Sequence, residues 1–196
     1  MMYFGVSGNS LSGNISPDLF VSWTHLVSFQ VQNNNFSGNI PGEVGLATDL
    51  TTLFLYTNNF TGPIPEEIGK LVNLVQLDLS MNYLVGPIPK TIGNLKQLNS
   101  LSLFYNNLNG TIPEEIGNLI ALQSLDINTN LLEGVLPRSI SNLENLWLFS
   151  VFTNKLSGQV PEDFGQNSPL KIAGFSENRF SGELPPQLAR NHCSRT

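Results

Sequence analysis

Residues 106–117 read NNLNGTIPEEIG, and residues 58–69 of the same chain read NNFTGPIPEEIG. The two stretches start 48 residues apart (106 − 58 = 48) and differ at only three of their twelve positions. A near-copy of this length within 196 residues indicates an internal repeat. A fixed period of about 20 to 50 residues is typical of a solenoid, in which each repeat forms one coil.

One asparagine marks each copy, and the steps between successive asparagines are 25 once and then 24 six times. Around each of them the chain follows the pattern LxxLxLxxNxLxGxIP, which begins at Leu98 in the fifth copy. Positions are numbered below from that first leucine, so the asparagine is position 9. The eight asparagines are Asn9, Asn34, Asn58, Asn82, Asn106, Asn130, Asn154 and Asn178.

The pattern predicts the local structure of each coil. The segment Leu77-Asp78-Leu79-Ser80 alternates with period two, which predicts a short strand with its leucines inward and with Asp78 and Ser80 facing water. Stacked copies then form a parallel sheet of up to eight strands. Position 13 is Gly in every copy, which suits a bend without a Cβ. Pro, Glu and a closing Gly at residues 65–69 predict a brief helical or 3₁₀ turn on the convex side.

The repeated asparagine lies where each strand turns away from the sheet. A side-chain amide both donates and accepts hydrogen bonds, so it can satisfy backbone groups that have no strand partner there. We interpret the eight asparagines as a structural, hydrogen-bonded ladder. The alternative is a binding role, which the recurrence in every copy disfavours.

The segment LxxLxLxxNxLxGxIPxxIGxL closely resembles the leucine-rich repeat family, and more narrowly its plant-specific subtype. The resemblance implies an α/β solenoid: a right-handed superhelix with a parallel β-sheet on the concave face and short 3₁₀ or helical turns on the convex side. It also implies a second small sheet from the LxGxIP segment. We expect a single solenoid of eight repeats of about 24 residues over 1–188, followed by a C-terminal tail at 189–196.

The amino-acid sequence of the repeats is most similar to that of the ectodomains of plant leucine-rich-repeat receptor-like kinases. This resemblance implies a non-enzymatic recognition module in signalling or defence, whose concave face binds a peptide or protein ligand. The partner could also be a co-receptor ectodomain or a related leucine-rich repeat protein. Alternatives are a free inhibitor resembling polygalacturonase-inhibiting proteins, a truncated regulator of full-length receptors, and ice binding by a regular polar array.

Function must use the positions that the repeat leaves free to vary, which are the outward positions 3, 5, 7 and 8. Large exposed aromatic groups often mark a contact surface, and these positions combine aromatics with only two acids at the centre. The alternative is that the aromatics stabilise strand stacking. The candidate ligand-binding residues are Phe54, Tyr56, Asp78, Ser80, Phe104, Tyr105, Asp126, Asn128 and Phe152.

Composition excludes several other classes of function. Nine basic and fifteen acidic residues give a net charge of −6, and without a Lys/Arg cluster we expect no nucleic acid partner. No apolar run reaches the roughly 18 residues of a membrane span. Motifs of hydrolases, zinc proteases, nucleotide-binding proteins and kinases are absent. Cys193 with His25 and His192 is too sparse a set for catalysis or metal binding, so we expect no cofactor and no metal.

Four Asn-x-Ser/Thr sequons predict N-glycosylation, at Asn14, Asn35, Asn59 and Asn109, although Pro17 weakens the first. By resemblance we expect an extracellular, apoplastic or cell-surface location. The first ten residues lack the features of a signal peptide, so retention of a truncated product inside the cell is the alternative. The Cys-paired caps of the family are absent, which predicts a fragment whose uncapped ends associate end to end.

Overall fold

The computed structural model describes residues 2–190. Most of the predicted tail, including His192 and Cys193, lies outside the described residues. A short helix, Gln187–Arg190, spans the predicted boundary between solenoid and tail.

The concave face is one parallel sheet, as the period-two pattern predicts. Within residues 2–190 it has eight strands, ordered as they occur along the chain. From Tyr3 onward, equivalent residues of neighbouring copies pair in register, so Leu101 lies between Leu77 and Leu125. The strands are β1 (Met2–Gly5), β3 (Leu26–Gln30), β5 (Thr52–Phe54), β7 (Gln76–Asp78), β9 (Ser100–Ser102), β11 (Ser124–Asp126), β13 (Leu148–Ser150) and β15 (Ile172–Gly174).

A second set of parallel strands follows the repeated asparagines. The strands are β2 (Ser12–Asn14), β4 (Asn35–Asn39), β6 (Asn59–Thr61), β8 (Val85–Gly86), β10 (Asn107–Leu108), β12 (Glu133–Val135), β14 (Lys155–Gly158) and β16 (Arg179–Phe180). In the described residues they form three separate pieces of three, two and three strands. Backbone hydrogen bonds continue across both breaks, from Tyr83 N–H to Phe60 O (2.9 Å) and from Leu131 N–H to Leu108 O (2.8 Å).

The convex side carries the predicted short turns. They are 3₁₀ helices at Gly42–Leu46, Glu66–Lys70, Lys90–Asn94, Glu114–Asn118 and Arg138–Asn142. Proline stands at the cap position just before each of these helices, in an extended conformation. The first copy is one residue longer and forms the α-helix Asp18–Ser22 there instead. The extra residue is therefore accommodated on the convex side.

The buried apolar side chains of the described residues form one hydrophobic core along the solenoid axis. In the middle copies it is a column of buried Leu and Ile side chains. Both ends of the column carry aromatic clusters: Phe20 contacts Phe29 at 5.2 Å between ring centroids, and Phe149 contacts Phe164 at 4.8 Å. Because no coil buries its own leucines alone, each copy depends on its neighbours for stability.

The outer strands of the concave sheet expose apolar side chains. Tyr3 of β1 and Ile172 of β15 are both more than half exposed. In β15, Ala173 replaces the usual inward leucine and is itself exposed. End-to-end association through such surfaces stays a prediction.

Two sets of glycines recur for different physical reasons. Gly86, at position 13, has φ of +79°, a left-handed conformation that side chains with a Cβ disfavour, although a Cβ there would find room. Gly93, on the convex side, is constrained by packing instead. A Cβ at Gly93 would lie 2.6 Å from the carbonyl oxygen of Glu115 in the next coil. The convex glycines therefore let neighbouring 3₁₀ helices approach each other.

Candidate functional site

The repeated asparagines connect each coil to the one before it. The side-chain N–H₂ of Asn106 donates to Leu103 O of its own coil and to Leu79 O of the previous coil, both at 3.1 Å. Its Oδ1 accepts from Leu84 N–H of the previous coil at 3.0 Å. The same bonds to the previous coil recur at Asn34, Asn58, Asn82, Asn130, Asn154 and Asn178. These side chains use their hydrogen-bonding groups on the backbone, so few of those groups remain free to bind a ligand.

Asn9 differs from the other seven. Its side chain is exposed, and it donates to Val6 O and Ser7 O of its own coil. No earlier coil is described against which it could form the remaining bonds of the pattern.

The concave face consists of the outward side chains at positions 3, 5 and 7 of the second to seventh copies. Its seventh-position row alternates large and small residues, with Tyr56, Phe104 and Phe152 separated by Ser80 and Asn128. The prediction that Ser80 and Asn128 are open to a ligand is wrong, because both are buried. Each is a short side chain between two aromatic residues of the adjacent coils, so it lies on the floor of the face.

The aromatic side chains of this face are accessible. Phe54, Tyr56 and Phe104 are half-buried, and Phe152 is exposed. The rings of Phe54 and Tyr56 lie 5.9 Å apart and tilted by 59°, which forms a small apolar surface with a hydroxyl at its edge.

Position 8 lies at the rim of the face, where the chain leaves the sheet. Tyr105 stands there, is 61 % exposed and has φ of +55°. The same left-handed backbone recurs at Asn33, Thr57, Met81, Thr129, Thr153 and Glu177. Sequence reasoning missed this feature, because the only signals were Gly8 and Asn33 at the equivalent places. Position 8 is therefore a backbone turn, and Tyr105 belongs to the rim.

Two carboxylates lie on either side of Ser102 at the centre of the face, because Ser102 pairs with Asp78 of one neighbouring strand and with Asp126 of the other. Asp78 accepts hydrogen bonds from Ser80 Oγ–H (2.6 Å) and Ser80 N–H (3.0 Å). Asn128 bonds the Asp126 carboxylate in the same way. Burial raises the pKa of Asp78, and the charge of Asp126 acts in the same direction, against hydrogen bonds from Ser80 and Ser102 that lower it.

Gln32 is a second residue that sequence reasoning did not single out. It occupies the seventh position of the second copy, adjacent to Tyr56 of the third. The side chain is only 8 % exposed, and its buried Oε1 has no hydrogen-bond donor. A buried carbonyl oxygen without a donor is rare, because it loses its bonds to water without replacement.

The four sequons lie on the flank that carries the second set of strands. Asn14, Asn35 and Asn59 are within β2, β4 and β6, and Asn109 directly follows β10. All four asparagines are exposed.

No group of three or more His, Cys, Asp and Glu side chains within residues 2–190 is arranged to hold a metal ion. No helix in this part of the chain combines the length and the hydropathy of a membrane span.

Comparison with known families gives a direct match to the repeat. The Leucine Rich Repeat model matches residues 49–71, 73–95, 97–119 and 121–143. Comparison with curated proteins gave no match.

Among solved structures, the chain is similar to the ectodomain of the Arabidopsis thaliana membrane receptor kinase GASSHO1/SCHENGEN3 in complex with CASPARIAN STRIP INTEGRITY FACTOR 2, with a TM-score of 0.90, 36 % identity and 92 % of this chain covered. It is also similar to the plant peptide hormone receptor RGFR1 in complex with RGF2, with a TM-score of 0.91, 37 % identity and 93 % of this chain covered. A third similar structure is the Arabidopsis receptor kinase HAESA in complex with the peptide hormone IDA and the co-receptor SERK1, with a TM-score of 0.79, 35 % identity and 95 % of this chain covered.

The chain spans only 22 %, 29 % and 35 % of those three solved chains, respectively. The matched repeats, the in-register parallel sheet and the 3₁₀ turns nevertheless agree with the sequence pattern along the solenoid. The chain is a plant-type leucine-rich repeat protein that resembles the ectodomains of receptor kinases.

Proposed function

We propose that the chain is a non-catalytic recognition module that binds a peptide or protein ligand on its concave face. The observation that carries this proposal is the row of accessible aromatics at Tyr56, Phe104 and Phe152, separated by buried small residues. Aromatic side chains give large contact areas at low cost in conformational entropy, and they are enriched among the residues that dominate binding energy.

The similar structures support a ligand of this kind. RGFR1 is a peptide hormone receptor solved with RGF2, and HAESA was solved with the peptide hormone IDA and a co-receptor. By this analogy the chain acts in recognition at the cell surface, with a co-receptor ectodomain as a second partner. The exposed sequons at Asn35, Asn59 and Asn109 are compatible with an extracellular location.

The test replaces the central aromatic with a residue that the repeat itself uses at this position. Peptides selected from a random display library against the purified chain are measured for binding to Phe104→Ser, since Ser80 and Ser176 occupy the equivalent place in other copies. Loss of a central aromatic contact should weaken binding by about tenfold or more, with little change in melting temperature.

The matched control is Ile120→Ser, which removes an exposed apolar side chain (61 %) from the turn region outside the concave face. This control should bind as tightly as the unmodified chain. Equal binding by Phe104→Ser, or equal loss in both variants, would contradict a concave binding site.

A further inference from the structure

The concave face and its rim carry no basic side chain. At positions 3, 5, 7 and 8 of all eight copies there is no Lys or Arg, and the acids at the centre of the face are Asp78 and Asp126. The face therefore offers negative charge, with no cation of its own to compete for it.

The geometry defines where a ligand cation would lie. Ser102 pairs with Asp78 on one side and with Asp126 on the other, so the two carboxylates lie on adjacent strands about 4.8 Å either side of it. Phe104 lies two residues beyond Ser102, just past the end of β9, and continues the outward alternation of that strand. An ammonium or guanidinium group above Ser102 would meet two carboxylates and the face of an aromatic ring.

The carboxylates are also poorly neutralised by the protein itself. The hydrogen bonds from Ser80 and Asn128 are donated by neutral groups. Within residues 2–190 no salt bridge involves either acid. Burial raises the pKa of Asp78, and the negative charge of Asp126 acts in the same direction. A bound cation would relieve both effects, because it favours the charged form of each carboxylate.

We propose that the ligand is a peptide with a basic side chain, Lys or Arg, which lies over Ser102 between Asp78 and Asp126. This inference rests on the proposed concave binding site and specifies the chemistry of its ligand.

The experiment compares peptide selection on two variants that lose the same charge. Random heptapeptides are selected against the unmodified chain, and the enriched peptides are measured on Asp78→Asn/Asp126→Asn and on Glu66→Gln/Glu114→Gln. The second pair removes two exposed acids from the first turns of convex helices. We expect a basic residue at one position of the enriched peptides, and at least tenfold weaker binding only to the Asn variant.

A pH titration sharpens the result. Burial raises the pKa of Asp78 above its ordinary value of 3.8, so affinity should fall as the pH is lowered into the carboxyl range, because protonation removes the charge that binds the cation.

The outcomes separate this inference from the proposed function. Enriched peptides that depend on Phe104 but lack a basic residue would overturn the cationic ligand and leave concave binding intact. The same holds if the Glu66/Glu114 control loses as much affinity as the Asn variant. Selection of no peptide that depends on Phe104 would overturn both proposals.

Discussion

At the scale of single residues, the repeated asparagine carries a larger share of stability than its polarity suggests. Asn106→Ala would leave Leu84 N–H without its acceptor in a buried environment, whereas Leu79 O would keep its hydrogen bond from the Asn82 side chain. We expect a loss of about 1 to 3 kcal/mol in the free energy of unfolding, from one buried donor without a partner. Urea denaturation measures this loss. Asn107→Ala removes an exposed amide next to it and should cost little, so equal effects would contradict a structural role.

Asp78 is expected to destabilise the fold at neutral pH, whereas Asn106 stabilises it. Burial raises the pKa of Asp78 in the folded state, so the folded chain binds a proton more readily than the unfolded chain does. Asp78 therefore lowers the free energy of unfolding as the pH rises above its ordinary pKa of about 3.8. Asp78→Asn should therefore raise the melting temperature at neutral pH, and the gain should shrink as the pH falls into the carboxyl range. Thermal melts of both proteins from acid to neutral pH test this. A gain that persists unchanged in acid would indicate another cause.

The sequence pattern predicts some properties of single residues and not others. Period-two alternation correctly identified the sides of Leu77 and Leu79, since burial of leucine fixes the register of a strand. It did not predict that Ser80 is covered, because exposure depends on the size of the side chains in the adjacent coils. It did not identify Gln32, because an unpartnered acceptor is a property of the assembled face. The left-handed backbone at Thr57 was equally unpredictable from a β-branched residue.

At the scale of elements, neighbouring 3₁₀ helices on the convex side pack closely against each other at their glycines. Gly93→Ala would place a methyl group 2.6 Å from the carbonyl oxygen of Glu115, so the helices Lys90–Asn94 and Glu114–Asn118 must separate. We expect a loss of about 1 to 3 kcal/mol, typical of overpacking. Thermal unfolding measures it, with Asn94→Ala as an exposed control in the same helix. A neutral Gly93→Ala would mean that the coils can spread freely.

The elements themselves were largely predictable, for a reason that lies in the repeat. The same short motif occurs in all eight copies. In one copy it would be too weak to predict a strand, but its repetition at a fixed period makes the prediction firm. The breaks in the flank strands and the α-helix Asp18–Ser22 were not predicted. They depend on small sequence differences between copies, and the repeat pattern describes only what the copies have in common.

At the scale of the whole molecule, stability should vary along the solenoid. Strand β9 is paired on both sides and covers fully buried leucines, whereas β15 pairs with β13 and exposes Ile172 and Ala173. We therefore expect slower amide hydrogen exchange in β9 than in β15, since local opening is easiest where few contacts hold a segment. Exchange followed by mass spectrometry tests this. Uniform protection along the chain would instead indicate a single all-or-none unit.

The helix Asp18–Ser22 shows how this architecture tolerates change in length. One additional residue in the first copy is taken up on the outer side, and the next copy returns to register with its asparagine bonded to Val6 O and Leu11 N–H. Insertions on the outside are thus insulated from the inner surface. Gene duplication or unequal recombination by whole units can therefore lengthen such a protein while the recognition surface already in use keeps its shape.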